Sequence, residues 1–478
     1  MKKKFWKFAM CGLLLVGATC VISCGDDGPG ETDGNNSEVN NGGNNGGTGG
    51  NGTGSAAMTP LQQKEYMQKV AENLINTLPA ADSKALCDLG KYIGNTYMSG
   101  NYNWDNVGVW AKKGFDAAYS LISSSEEKHE DTYYTQIYKY SFYARTLLAS
   151  NFLGKFTAAN GTWNYEPSDI LQFIFSDQNG APCELKLTTS GSVKKVHLTD
   201  IEDKNYDWIY DYNKGNYTTT TYTDVTSLTV GIPEKIQISL TQGGKQVVTS
   251  TIETKLESLD GEEFNLAQSN LTFSVKTELN NGCQLNLNQM AYTANSKAAI
   301  SYEMLKNGNS VCSVSISGDP MNLPSCNLSV FTVSGANAGN FDNINAKNAY
   351  MKIDILGQLQ LQGSMKDIRQ FATYINEAGN YVYDEKTFKS YINQANGMLN
   401  DFGMYFNNTN VKQASVKLES FLEKSWNKEY WTAEPVIEFY DGTSYSTVTA
   451  FFNEQDFKNT INAFTSLAES YANLVNGK

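Results

Sequence analysis

Ile236-Gln237-Ile238-Ser239-Leu240, then Gly243-Gly244, then Val247-Val248-Thr249-Ser250-Thr251-Ile252 is the stretch that decides the fold class. Apolar and polar residues alternate on both sides of a glycine pair. Successive side chains of an extended strand point to opposite faces, so such alternation marks a half-buried strand. Two glycines between two such runs supply the positive φ angles of a tight hairpin turn. The pattern recurs downstream. Leu271 to Leu279 leads through Asn280-Asn281-Gly282 to Gln284 to Met290, and Ala298 to Leu305 leads through Lys306-Asn307-Gly308-Asn309 to Ser310 to Ser317. A further strand is expected over Met351 to Gln360, with Ile353, Ile355, Leu359 and Leu361 at its apolar positions. Hairpins in succession predict an antiparallel meander. Its strands are rich in Thr, Ser, Asn and Gln, so one face is expected to rest on helices and the other to be solvated or to line a groove. That composition argues against a large, continuous apolar concave face.

Outward from the meander the period changes. Thr59-Pro60-Leu61-Gln62 reads as a helix start, with a capping threonine, proline at the first helical position and Gln three residues after the cap. Met67, Val70, Leu74 and Leu78 then fall on one face. Further helices are expected over Ser83 to Ile93, Asn106 to Ile122 and Glu126 to Phe152, the last with Ile137, Tyr140, Phe142, Tyr143 and Leu147 on its apolar side. Downstream, Ser364 to Asp367 caps a helix ending near Gly379, with Phe371 and Ile375 inward. Another helix follows Asp384, with Phe388, Ile392, Met398, Leu399 and Phe402 inward. Ala414 to Leu422 suits strand or helix. Val436 to Tyr440 and Tyr445 to Phe451 flank a hairpin turn at Asp441-Gly442, and a last helix carries Phe457, Ile461, Phe464, Leu467, Tyr471 and Leu474. The class is therefore α+β: an N-terminal helical bundle (58–155) packed on a long-stranded antiparallel meander (156–362), with C-terminal helices and a hairpin (363–478).

The amino terminus carries a different message. Lys2, Lys3, Lys4 and Lys7 precede an apolar run from Phe8 to Ile22 that is too short to span a bilayer and suits a signal peptide over residues 1–23. The run ends Val21-Ile22-Ser23-Cys24, which resembles the bacterial lipobox, where the cysteine is acylated and becomes the first residue. Cys20, preceded by Gly17-Ala18-Thr19, fits less well. Gly25-Asp26-Asp27-Gly28-Pro29-Gly30-Glu31 resembles the acidic tract that Bacteroidetes lipoproteins carry when sent to the outer face of the outer membrane. Taken together, the start of the chain resembles the surface lipoproteins of gut Bacteroidetes. That resemblance implies an outer-membrane protein, lipid-anchored through Cys24 and facing the cell exterior. Residues 24–57 are dominated by Gly and Asn, a composition that buries nothing and acts as a flexible tether.

Charge and chemistry narrow the function. The formal charge is −13, and removal of residues 1–23 takes away four lysines and no carboxylate, leaving −17. Such a surface disfavours nucleic acid and anionic lipid as partners. Cys87, Cys183, Cys283, Cys312 and Cys326 show no zinc or redox spacing, and an odd number leaves at least one free. His129 and His197 are the only histidines. No metalloprotease, nucleophile-elbow or phosphate-loop signature occurs, so no catalytic residue, metal ligand or cofactor is assigned. A Ser-His-Asp set built on either histidine would have to come from tertiary contacts.

The most distinctive segment is Asp200 to Tyr222. Tyr206, Trp208, Tyr210 and Tyr212 alternate with Asp207, Ile209, Asp211 and Asn213, and Tyr217 and Tyr222 follow. In a strand this gives an aromatic stripe backed by an acidic face. Two readings stand. Sugar rings stack on exposed aromatics while phenols and carboxylates bond their hydroxyls, making a glycan or peptide platform. Alternatively the stripe is core, packed on the helices, and the abundance of Tyr and Trp in the whole chain favours this one. Asp200, Glu202, Asp203, Asp207 and Asp211 lack a calcium-loop spacing and read as a solvated acidic group. The function expected is non-enzymatic binding of an extracellular ligand. An adhesin or accessory subunit of an outer-membrane assembly is the alternative; a hydrolase working through a carboxylate pair, which fifty acidic residues leave impossible to locate, and an apolar-ligand carrier rank below both.

Overall fold

The computed structural model describes residues 57–476, apart from residues 101, 131–134, 258–269, 294–296, 321–345, 426–427 and 440–454. The signal peptide, Cys24, nearly all of the tether, Cys326, the turn at Asp441-Gly442 and the strand expected over Tyr445 to Phe451 lie outside these residues. What is described is α+β, dominated by one large, mostly antiparallel sheet.

Three helices come first: α1 (Pro60–Thr77), α2 (Lys84–Tyr97) and α3 (Asp105–Ala117). The cap of α1 is the one read from sequence. The Gln62 amide donates to Thr59 Oγ1 at 3.4 Å, and the Thr59 amide donates to Gln62 Oε1 at 3.0 Å.

From Tyr119 the chain is extended, which corrects the helices expected to reach Ile122 and to run from Glu126 to Phe152. The segment forms β1 (Tyr119–Glu130) and β2 (Thr135–Leu147). Ile137, Tyr140, Tyr143 and Leu147 satisfy helical spacing, but β2 is also rich in β-branched and aromatic residues that suit a strand. A partner distant in sequence settles it. β2 pairs in parallel with β7 (Asn216–Gln242), Tyr140 opposite Thr223, and antiparallel with β1. The helices therefore end at Ala117 and each packs on the sheet. α2 sets Leu89 and Tyr97 against Phe156, Trp163, Phe175 and Val247, whereas α1 reaches strands much further along the chain.

β3 (Gly154–Ala159), β4 (Thr162–Glu166) and β5 (Leu171–Ser176) form a small lobe, with β3 paired to both others. β5 leads into β6 (Pro182–Asp211), which forms one long hairpin with β7. The expected meander follows: β8 (Lys245–Glu257), β9 (Asn270–Leu279), β10 (Cys283–Thr293), β11 (Lys297–Lys306), β12 (Asn309–Pro320), β13 (Ala346–Ile355) and β14 (Leu359–Asp367). Two helices interrupt it, α4 (Ile368–Asn380) and α5 (Glu385–Asn396). It resumes as β15 (Leu399–Phe406), β16 (Lys412–Ser425) and β17 (Lys428–Phe439), before α6 (Gln455–Asn476). From β7 onward each strand is antiparallel to the next. The Gly-Gly and Asn-Gly turns fall where expected; Asn307 and Gly308 both have positive φ, 52° and 80°, as the favoured hairpin turn requires.

Smaller differences have local causes. Met351 to Gln360 is two strands, because Leu356 and Gly357 turn the chain at φ 56° and 69°. The helix after Asp384 stops at Asn396, so Leu399 and Phe402 belong to β15, and Ala414 to Leu422 lies within β16. The ladder also crosses the expected boundary after residue 362, since β14 pairs with β15.

Register shows which face of the meander rests on the helices. Cross-strand partners share a face. Ile252 stands opposite Val275, Val275 opposite Leu287, Leu287 opposite Tyr302 and Tyr302 opposite Val314. The row continues through Ile353, Leu361, Met404 and Ala414 to Phe439. One face of the meander thus carries an unbroken apolar row from β8 to β17, with polar positions such as Ser250, Thr277 and Ser420 beside it on the same face. Helices cover much of it. Val70 and Leu74 of α1 meet Cys283, Met304, Val311 and Ile355, joined by Phe464 of α6. Phe388 and Ile392 of α5 meet Leu418, Trp431 and Ala433. The neighbouring pair Ile300 and Ile316, on the same face, stays 40% and 44% exposed.

Polar contacts bind α1 and the 3-10 turn Ala80–Ser83 to the row of tight turns at one end of the sheet. The Tyr66 hydroxyl donates to Asn407 Oδ1 at 2.6 Å, and Lys306 Nζ donates to Asp82 Oδ2 at 2.6 Å and to the Asn281 carbonyl at 2.7 Å.

Candidate functional site: an exposed aromatic ribbon tip

The β6/β7 hairpin runs on beyond its pairing with β8. β7 last pairs with β8 at Lys235, opposite Glu253, and continues to Asn216 with β6 on one side and β2 on the other. At about 3.3 Å per residue this is a projection of roughly 60 Å. Register shifts between Ser190 and Val193 and between His197 and Thr199 mark where β6 is re-aimed.

β2 is paired with β7 only as far as Gln136, opposite Thr219, so the last residues form a two-stranded ribbon. Its turn is built by Asp211. The amides of Asn213 and Lys214 donate to Asp211 Oδ1 at 2.9 Å and 3.2 Å, and the Gly215 amide donates to the Asp211 carbonyl at 2.9 Å. Gly215, at φ 64°, takes the left-handed position the turn needs.

The expected stripe is here and faces solvent. Tyr206 is 66% exposed, Trp208 57%, Tyr210 39% and Tyr212 90%. Packing against the helices, the reading that composition favoured, is corrected. Tyr217, named in the sequence beside the stripe but not assigned to it, belongs to the group. It stands opposite Tyr210, their ring centroids 5.0 Å apart at 68°. Trp208 meets Tyr217 at 6.3 Å and 77°, and Tyr210 meets Tyr212 at 5.0 Å and 84°. The available signal was on the partner strand: Thr218-Thr219-Thr220-Thr221 offers no large apolar surface under which rings could be buried. Tyr222 lies apart, half-buried, with Lys139 Nζ 5.9 Å from its ring centroid.

Of the acidic group, Asp200 and Glu202 share the aromatic face by strand alternation, while Asp203, Asp207 and Asp211 alternate onto the other. Glu202 is paired with Lys204 at 2.9 Å. His197 does meet a serine and an aspartate. Its Nδ1 is 3.3 Å from Ser227 Oγ and its Nε2 is 3.5 Å from Asp200 Oδ1. Ser227, however, sits mid-strand in β7, paired on both sides with Asp200 and Ala144, so its backbone is committed to the ladders and does not form an oxyanion hole. The contact reads as a polar clasp on the ribbon.

Among the described residues no group of three or more His, Cys, Asp or Glu could hold a metal ion, and no helix is long and apolar enough to cross a membrane. Cys87, Cys183, Cys283 and Cys312 are free thiols, the last three buried. Compared with known proteins, the chain matches no family model, no curated protein and no solved structure.

Proposed function

We propose that this chain is a non-enzymatic protein, held at the outer membrane by lipid on Cys24, that captures an extracellular ligand on the ribbon tip. A glycan is the leading ligand and a peptide the second. One observation carries the reading: Tyr206, Trp208, Tyr210, Tyr212 and Tyr217 are all exposed at the end of a projecting ribbon. A soluble protein gains nothing in folding from large rings left in water, and exposed apolar clusters of this kind mark interaction sites. Stacking rings with phenol and carboxylate groups beside them suit a sugar's apolar faces and hydroxyl edges. The long tether and acidic surface suit a protein working in solution beyond its anchor.

The test is a glycan array with the wild type and the Trp208→Ala/Tyr210→Ala variant. Loss of binding with unchanged thermal unfolding supports the reading; unaltered binding overturns it. Metabolic labelling with palmitate tests the anchor, with label expected on the wild type and absent from Cys24→Ser.

A second reading, carriage of an apolar ligand, is favoured by one observation, the exposed Ile300 and Ile316 pair on the apolar face that the helices cover in part. Fluorescent fatty-acid binding that Ile300→Asp abolishes would support it. No binding by the wild type would remove it.

A further inference from the structure

We infer that the tip takes a ligand bearing ammonium groups on a hydroxyl-rich chain, an amine-bearing polysaccharide; this rests on the ligand-capture reading and names its substrate class. Three ring contacts lie near perpendicular, Trp208 on Tyr217 at 77°, Tyr210 on Tyr217 at 68° and Tyr210 on Tyr212 at 84°. Perpendicular rings turn their faces in several directions at one place. Each face carries the negative part of the ring quadrupole, and groups of such faces are what cations, and ammonium ligands above all, bind to. The surrounding charge has the same preference. Between Asp200 and Tyr222 stand five carboxylates and two lysines, and one of the lysines, Lys204, is engaged by Glu202 at 2.9 Å. Asp207 and Asp211 flank the aromatic stripe in the strand itself, so a cation arriving at the rings meets a negative field from beneath. A uronate or sulfate chain meets repulsion at the same place. Phenol hydroxyls serve the ligand's own hydroxyls as donors and acceptors. Stacking therefore holds any sugar, and the charge pattern selects the cationic ones.

The experiment is calorimetric titration of the purified full-length protein in detergent at mildly acidic pH, with three hexasaccharides: glucosamine, N-acetylglucosamine and galacturonate. The glucosamine oligomer is expected to bind about ten-fold tighter than its acetylated counterpart, the gain from two cation–ring contacts at an exposed site. Galacturonate is expected to bind weakest. The Asp207→Asn/Asp211→Asn variant, which keeps the oxygen that closes the turn, should lose most of the preference, and Tyr210→Ala should lose binding altogether. Equal affinity for the amine and acetylated oligomers, or tighter binding of galacturonate, overturns the inference and leaves glycan capture standing. Binding of none of the three overturns both.

Discussion

Tyr210 faces Tyr217 across the β6/β7 ladder, ring centroids 5.0 Å apart, with 39% and 49% of their surfaces exposed. Their contact is a cross-strand pair in water. Tyr217→Ala is therefore expected to cost no more than about 1 kcal/mol of stability. Thermal unfolding checks this, and a loss above about 3 kcal/mol, the size of a core truncation, would reassign the rings to the interior.

Val314 and Ser315 are neighbours on β12 that point to opposite faces, Val314 toward the apolar row between Tyr302 and Ile353. Val314→Asp should destabilise by upwards of about 2 kcal/mol, while Ser315→Asp should stay within about 0.5 kcal/mol. Urea midpoints of the two variants test the register directly, because a slip of one residue would exchange the outcomes.

Phe156 is fully buried, stacked on Phe173 at 4.9 Å and edge-on to Trp110 at 5.2 Å. Phe156→Ala should cost about 3–5 kcal/mol. Tyr165→Ala, removing an exposed ring that touches Phe156, should cost far less; denaturant titration of both variants measures the contrast.

Burial, helped by the Asp354 carboxylate, pushes the Cys312 thiol up to about 11 from 9.0. Folding thus holds the proton more tightly than the unfolded chain does. That contribution is fully present below pH 9 and is lost as pH rises from 9 through 11, amounting to about 3 kcal/mol. The stability difference between wild type and Cys312→Ala should shrink over that window. At neutral pH native Cys312 should resist iodoacetamide, which attacks thiolates, and should be labelled only on unfolding; mass spectrometry reads both.

Much of the local structure was legible from neighbours in the chain. Thr59 and Gln62 specify a helix start through bonds three residues apart, and Asn307-Gly308 specifies a hairpin through its own backbone angles. The extended state of residues 119–147 was not legible. Ile137, Tyr140 and Tyr143 serve a helix as well as a strand, and the partner that decided, β7, lies far along the chain. The candidate site divides in the same way. Alternation placed Tyr206, Trp208 and Tyr210 on one face, but the same pattern suits core or surface. Tyr217 joined them only when the turn at Asp211 brought it opposite Tyr210.

Sequence alone determined the Gly-Gly and Asn-Gly turns, the cap of α1 and the acidic balance; the turns and the cap depend only on residues within a few positions of one another. Only the tertiary structure decided that the polar-looking strands align one apolar row from β8 to β17, and that the aromatic stripe stands in water. Both are properties of register and coverage, set by which distant backbones pair and which helices lie across them, and no short window of residues contains that information.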